Sequence, residues 1–357
     1  MEVMEVKSVL EKFKNKKVFI TGHSGFKGSW LTYLLDNAGA ITKGYSLKPI
    51  SNPSLYSSLS FSKNHSSVFS DINNFEKLKK EFNSFKPDYI FHLAAQPLVL
   101  ESIRDPKLTF ETNFNGTLNL LEILREVKFT TTAVFITTDK VYENKDLNHS
   151  FNEKDRLGGK DPYSSSKAAS ELLIKSYYQS YFKDSKINIA SARAGNVIGG
   201  GDWSENRLFP DIVRSLFEGK QLVIRNPKST RPWQHVLESI TGYLILAVNL
   251  SKNPSKFSGG WNFGPEVGDD KSVKDIIDIS SELGFKLSVS YDKNTDSKEA
   301  KYLSLEINKS KDLLKWIPKW NSYLAVSKTL IWYNHFYKGE DPNILLEKDL
   351  ASYINKI

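Results

Sequence analysis

The chain has 357 residues, of which 39% are hydrophobic and 25% charged; that is enough for one large domain or two ordinary ones and excludes a disordered or fibrous chain. It has no cysteine, which excludes disulfides, thiol catalysis and cysteine-ligated zinc. The net charge of +8, from 49 basic and 41 acidic residues, is scattered rather than gathered in a basic stripe, which suits a lysine-rich surface or a phosphate-bearing small molecule and argues against nucleic acid.

The opening segment MEVMEVKSVLEKFKNKK lacks an apolar core of signal-peptide type. The apolar run YLILAVNL (243–250) is too short to cross a membrane. A cytoplasmic protein with no membrane partner is expected.

KVFIT (17–21) predicts a first strand. A helix follows from Gly25 to Asn37, with Phe26, Trp30, Leu31, Leu34 and Leu35 on one face and Gly39 as its stop. Strands are predicted at 40–47, 66–70 and 88–95, with a helix at 73–85 between the second and third of these. A helix over 107–127, a strand at AVFITT (133–138), a helix over 162–181 and a strand at 187–193 come next. This alternation predicts an α/β fold: a Rossmann-type doubly wound parallel sheet. Beyond Arg193 the pattern turns loop-rich, with helical segments at 207–218, 236–250, 272–283 and 322–338. Two regions are therefore expected. Residues 1–193 form a dinucleotide-binding domain, and 194–357 a smaller mixed α/β substrate-binding region partly interleaved with the sheet.

TGHSGFKG joins the first strand to the first helix, with Gly22, Gly25 and Gly28 at G-x-x-G-x-x-G spacing. The turn must be sharp, a phosphate must approach the backbone, and the helix must pack close to the sheet. A missing Cβ serves each need. The helix N-terminus then offers free N–H groups to a pyrophosphate. The acid expected on the ribose near the end of the second strand is absent: the segment reads Lys43-Gly44-Tyr45-Ser46-Leu47-Lys48. That leaves NADP open, with Lys43 or Lys48 facing a 2′-phosphate, and assigns Asp71, after the third strand, to the adenine side.

DPYSSSK places Tyr163 and Lys167 four apart, behind Asp161 as N-cap and Pro162 as first helical residue. They share one helical face. An ammonium beside a phenol favours the phenolate, which can take a proton from a sugar hydroxyl as the carbon loses hydride. Thr138 ends a strand and can hydrogen-bond the same hydroxyl. Asp139 and Lys140 follow it; on bare sequence they read as a loop salt bridge.

These motifs resemble the extended short-chain dehydrogenase/reductase family, and within it the nucleotide-sugar 4,6-dehydratases, in the branch that acts on CDP-glucose. The stretches that carry the likeness are TGHSGFKGSWL, HLAAQPLV, TTDKVYEN, GGKDPYSSSKAASEL, ARAGNVIGGGDW and RPWQHVLESITGYL, from about Lys17 to Leu250. The resemblance implies NAD against Gly22, His23, Gly25, Phe26, Lys27, Gly28, Asp71, Ile72, Leu93, Ala94, Ala95, Tyr163 and Lys167. It implies a redox-neutral cycle, which favours NAD over NADP. It also implies catalysis by Thr138, Asp139, Lys140, Tyr163 and Lys167. Asp139 is then the acid for the 6-hydroxyl and Lys140 the base for the carbon-5 proton. CDP-glucose is the implied substrate, held by Gln96, Asn196, Arg207 and Arg231.

Arg193 and Arg225 are further phosphate candidates, and Trp203 and Trp233 suit either core or pocket. His23 and His92 read as positional and His235 as structural. No metal-ligand spacing occurs. Leu100-Glu101-Ser102-Ile103 departs from the family's basic-then-aromatic pattern beside the nucleotide site. The competing readings are a dehydratase for a dTDP, GDP or UDP sugar, a 4-epimerase, and a silent Rossmann binding protein. A homodimer or homotetramer is implied.

Overall fold

The computed structural model describes residues 5–145, 148–292 and 300–355. Seven strands form one parallel sheet: β1 (Lys17–Thr21), β2 (Ile41–Ser46), β3 (His65–Phe69), β4 (Tyr89–His92), β5 (Thr131–Ile136), β6 (Ile187–Ala194) and β7 (Gly259–Phe263). Their order is 3-2-1-4-5-6-7, every pair parallel. This is the doubly wound dinucleotide-binding order, whose direction of winding reverses between β1 and β4. Ligands bind outside the carboxyl ends of strands at such a point.

Both faces are covered, so β4, β5 and β6 are buried along their whole length, their few polar residues such as Asn188 and Arg193 included. Helices α1 (Phe26–Asn37) and α5 (Val236–Lys252) pack on one face. Helices α2 (Phe75–Phe85), α3 (Gly116–Glu126) and α4 (Pro162–Tyr177) pack on the other. Helix α5 has no solvent side: every residue from Val236 to Leu250 is buried. Helices α6 (Ser322–Tyr337) and α7 (Pro342–Asn355) close over the first face.

The predicted elements are present, with three differences of substance. Strand β4 stops at His92, because Leu93-Ala94-Ala95 bend away to pass over Gly22. The helix predicted over 107–127 is present from Pro106 to Glu126 but carries a wide π-type turn at Glu111–Asn115 before α3, and a short helix at Val99–Arg104, not predicted, precedes it. Pro106 starts its own helix, with Asp105 capping the Leu108 N–H. The seventh strand and α5 lie beyond Arg193 in sequence yet complete the sheet layer. The remaining C-terminal segments have a separate small core around Phe209, Ile212, Ile224, Trp233, Ile276 and Val326. This core sits beside the strand ends, so a cleft lies between it and the sheet.

Candidate active site

The glycine motif and the Thr138 motif fall at the carboxyl ends of strands, and the Tyr163–Lys167 motif on the first turns of a helix. The glycine turn follows β1. Gly22 has φ +72°, and a Cβ there would meet the Ala94 nitrogen at 2.7 Å. A Cβ on Gly28 would lie 2.1 Å from the Gly22 carbonyl oxygen, so only glycine lets α1 seat on its own turn. Gly25 differs: its φ of −79° suits any residue, and a Cβ would meet only the Gly22 oxygen, at 3.5 Å. The chain's own packing does not require glycine there. What Gly25 provides is clearance at the N-terminus of α1, which no side chain caps. An uncapped helix end behind a bare backbone fits a pyrophosphate.

His23 is enclosed between β2 and β3. Its Nε2 pairs with Ser67 Oγ at 2.5 Å and its Nδ1 with Ser46 Oγ at 3.0 Å. Burial pushes its pKa down to about 3, so it is neutral and positional. Gly44 is the complement: a Cβ there would strike the His23 ring at 2.2 Å. Where a ribose-binding acid was sought, Ser46 bonds Ser24 at 2.8 Å. Lys43 ion-pairs with Glu81 at 2.8 Å, which removes it as a partner for a 2′-phosphate. Lys48 lines a hollow of about 500 Å³ with Pro53, Tyr56 and Phe69, next to the end of β2. Asp71 is exposed and holds the Asn73 N–H at 2.8 Å, while Ile72 packs against Gly116. Ala94 donates its N–H to Thr21 Oγ1, which also pairs with the buried, neutral His92.

A cleft of about 620 Å³ opens between the sheet and the small core. It brings together Phe26, Lys27, Thr138, Asp139, Lys140, Tyr163, Asn196, Arg207, Arg225 and Arg231 from distant stretches of chain. Thr138 caps the short turn Asp139–Val141. Its Oγ1 accepts the Lys140 N–H at 3.3 Å and donates to Asp139 Oδ1 at 2.9 Å. Asp139 is 1% exposed, and its Oδ2 has no partner within the protein. Burial raises its pKa, against the pull of Lys140, Thr138 and Arg231. A raised pKa suits a carboxyl that has to give a proton. Lys140 is half-buried at the cleft wall.

Tyr163 is on the first turn of α4, behind Asp161 as cap and Pro162 as first residue. Burial pushes its pKa up to about 12, against Thr138 and Arg207. Lys167, one turn on, donates to the Ile136 carbonyl at 3.2 Å, and burial lowers it to about 8. The expected phenolate is thus not established by Lys167 alone, because desolvation of the phenol outweighs the groups that pull it down. A further positive charge has to complete the tuning.

Gln96 is turned away from the cleft. Its amide nitrogen bonds Leu98 O and Thr109 Oγ1, and its Oε1 accepts the Leu98 N–H. It holds the loop after β4 instead of reaching a sugar. Arg193 is likewise committed: it pairs with Glu171 at 2.7 Å in the core and donates to Tyr142 Oη. Burial works to raise the Glu171 pKa, and Arg193, Thr137 and Ser191 outweigh it. Sequence reasoning missed this network, although Glu171 continues the Tyr163–Lys167 face at the same spacing of four. Trp203 is core, packed on Trp332 and Tyr333, whereas Trp233 both joins the small core and lines the cleft. Tyr243, from α5, was also missed: its hydroxyl lies 3.5 Å from Lys27 Nζ. Leu100, Glu101 and Ile103, from the segment that departs from the family pattern, line the cleft as well, with Arg104 just after them.

A family model described as GDP-mannose 4,6 dehydratase matches residues 19–329. The CDP-glucose 4,6-dehydratase of Salmonella typhimurium is 42% identical over 349 residues, covering 96% of this chain and 97% of that protein. The dTDP-glucose 4,6-dehydratase of the same organism is 26% identical over 340 residues, covering 89% and 92%. Among solved structures, the dTDP-glucose 4,6-dehydratase of Bacillus anthracis in complex with NAD superposes with a TM-score of 0.75 at 22% identity, over 92% of this chain and 99% of that one. With a match over most of its length, the chain belongs to the GDP-mannose 4,6 dehydratase family, the nucleotide-sugar 4,6-dehydratases of the extended short-chain dehydrogenase/reductase group.

Proposed function

We infer that the protein is an NAD-dependent CDP-glucose 4,6-dehydratase, a hydro-lyase that makes CDP-4-keto-6-deoxyglucose. The observation that carries this is the buried Asp139 beside Lys140 and Tyr163 at one end of the cleft, in a chain 42% identical to a CDP-glucose 4,6-dehydratase. A simple epimerase needs no acid for a leaving hydroxyl.

The residues suited to hold NAD are the turn Gly22–Gly28, with Leu93, Ala94 and Ala95 beside it and Asp71 and Ile72 on the adenine side. When bound, NAD supplies a hydride acceptor for carbon 4 and the hydride donor for carbon 6. Tyr163 takes the proton of the 4-hydroxyl, with Thr138 aligning that hydroxyl. The 4-ketone makes the carbon-5 hydrogen acidic, so a modest base suffices. Lys140 removes that proton and later returns it, while Asp139 protonates the departing 6-hydroxyl. Lys167 fixes the cofactor side of Tyr163. Arg207, Arg231 and Asn196 orient the nucleotide diphosphate and sugar; a guanidinium fork suits phosphate oxygens. In this reading residues 1–193 carry the cofactor, and 194–357 carry the substrate and lend β7 and α5 to the sheet. We also propose a homodimer. Leu108, Phe110, Leu172 and Tyr181, on the adjoining helical segments 106–115 and 162–182, are all more than a third exposed.

The test is mass spectrometry of the protein with NAD⁺ and CDP-, dTDP-, UDP- or GDP-glucose carrying deuterium at carbon 4. Water loss from CDP-glucose with deuterium moved to carbon 6 is the expected result. Turnover of another nucleotide sugar alone would overturn the base assignment. Inversion at carbon 4 with no water lost would make the enzyme an epimerase.

A further inference from the structure

The side chain of Lys27 parts from the turn that carries it. Lys27 is on the first turn of α1, where no side chain caps the backbone N–H groups. Its side chain lines the cleft, together with Asp139, Tyr163 and Arg207. The ammonium donates to Tyr243 Oη at 3.5 Å and stands 5.8 Å from the centre of that ring. Among the described residues it makes no ion pair with a carboxylate.

The charges that face Lys27 do not neutralise it. Arg207, from the chain entering the helix Leu208–Phe217, and Lys167, from α4, both repel it, and Asp139, from the turn after β5, attracts it less than they repel it. From α5 comes only the Tyr243 phenol, which burial keeps neutral. Arg207 itself is tied to Asp202 at 3.0 Å. Burial and the two cations bring the Lys27 pKa down to about 7. A half-buried ammonium without a carboxylate partner costs the fold stability, so packing gives no reason for a lysine at this place. A ligand does. A nucleotide sugar brings a doubly charged diphosphate into the cleft. NAD carries a diphosphate too, but the bare backbone of the turn is suited to receive that one.

We propose that Lys27 is a substrate-binding residue: its ammonium, held against Tyr243, meets the diphosphate of the nucleotide sugar and takes up a proton from solvent as that ligand binds. The proton goes onto Nζ as the phosphate oxygens arrive, and no bond in the ligand changes. The proposal rests on the nucleotide-sugar reading above but not on the base. Free Lys27 is about half protonated at pH 7 and about a tenth protonated at pH 8. The dissociation constant should therefore rise about tenfold from pH 8 to pH 9, because each binding event has to protonate the amine first.

The experiment titrates CDP-glucose into the whole chain saturated with NADH, which cannot accept hydride, so no chemistry follows binding. Calorimetry in buffers of different ionisation enthalpy counts the protons. Wild type is expected to take up about 0.9 proton per subunit at pH 8 and about 0.1 at pH 6. Lys27→Met should bind about tenfold more weakly at pH 6, with no uptake and no pH dependence of this kind. Lys27→Arg, whose guanidinium is always charged, should recover the affinity without the uptake. A lysine that only shapes the cleft would not separate these two variants. Thermal melting checks that both are folded. A second arm titrates NADH into cofactor-free protein. Uptake there and not with the nucleotide sugar would give Lys27 to the cofactor and overturn the proposal. So would a wild type without uptake, or wild-type uptake retained in Lys27→Met. The diphosphate is common to CDP-, dTDP-, UDP- and GDP-glucose, so the titration uses whichever of them is turned over. A wrong base assignment changes only the ligand used, whereas a missing uptake sinks this proposal alone.

Discussion

At the scale of single residues, the site works by setting burial against charge. Asp139 is the clearest case, since desolvation prevails over Lys140, Thr138 and Arg231 and raises the carboxyl's pKa. Asp139→Asn preserves size and can still accept from Thr138, but has no acidic proton to give. Water release should fall by about 10²–10⁴-fold. Oxidation at carbon 4 should survive, so mass spectrometry of a single turnover should show a 4-keto sugar that retains its 6-hydroxyl. Equal loss of both steps would mean that Asp139 only shapes the site. Lys27 is the opposite case. Burial, Arg207 and Lys167 bring its pKa from 10.5 down to about 7, against the pull of Asp139. Between about pH 7 and 10.5 the unfolded chain therefore binds more protons at this group than the folded one. Stability at this site should rise with pH across that window. Lys27→Met should melt higher than the parent at pH 6 to 7, with an advantage that shrinks as pH approaches 10. An advantage independent of pH would mean that packing, not charge, is responsible. Tyr163, Lys167 and Thr138 could be picked out because they sit at fixed offsets within two short motifs, whereas Asp139 read on bare sequence as half of a loop salt bridge and only the family resemblance pointed to it as an acid. The Glu171–Arg193 pair was not legible, since its partners come from α4 and β6 and only the fold makes them meet. Gln96 reads as a ligand in its motif, yet its neighbours satisfy it first.

At the scale of elements, the turn before α1 separates two uses of glycine. Gly28 is needed by the chain itself and Gly25 by what the chain binds. Gly28→Ala drives a Cβ to 2.1 Å from the Gly22 oxygen, and should cost about 2 kcal/mol of stability by overpacking. Gly25→Ala should leave the melting temperature unchanged while weakening NAD binding about tenfold or more by calorimetry, since a 1.4 kcal/mol clash is already a factor of ten. Similar melting losses for both would contradict the assignment of Gly25 to the cofactor. Helix α5 poses a different problem, because Glu238 is fully buried within it. Burial raises its pKa to about 7. Its Oε1 accepts the N–H groups of Lys319 and Trp320 at 2.9 and 2.7 Å, and its Oε2 accepts Tyr353 Oη at 2.7 Å. It ties α5 to the chain entering α6 and to α7. Glu238→Ala orphans three donors and should cost about 3 kcal/mol in urea unfolding; a loss under about 1 kcal/mol would show that water replaces it. Six of the seven strands were legible as short β-branched runs between helices. β7 was not: GGWNF has two glycines in five residues and no alternation, and it becomes a strand only because β6 offers an open edge.

At the scale of the whole molecule, the two halves of the sequence divide the chemistry without dividing the fold. The first half supplies the turn and the acid–base groups, and the second supplies Arg207, Arg225 and Arg231 across the cleft. The second half also threads α5 back beneath the sheet, so cofactor and substrate sides share one core and the cleft has a rigid floor. One large surface feature stays unexplained by the single chain. Leu172 is 57% and Tyr181 53% exposed on the segment that carries Tyr163 and Lys167, next to Leu108 and Phe110. Apolar side chains clustered on two adjacent helical segments are costly to leave in water and mark an interface. If this face pairs with a second copy, the catalytic helix is braced from behind by its counterpart. Leu172→Glu places a charge at the centre of that face, where pairing would have to desolvate it. The variant should run as a monomer of half the parent mass by light scattering, and its melting temperature should become independent of protein concentration. Because α4 then loses its brace, turnover should fall together with dimer content along a dilution series of the parent. A parent that is monomeric at all concentrations, or a Leu172→Glu protein that still dimerises, would place the interface elsewhere.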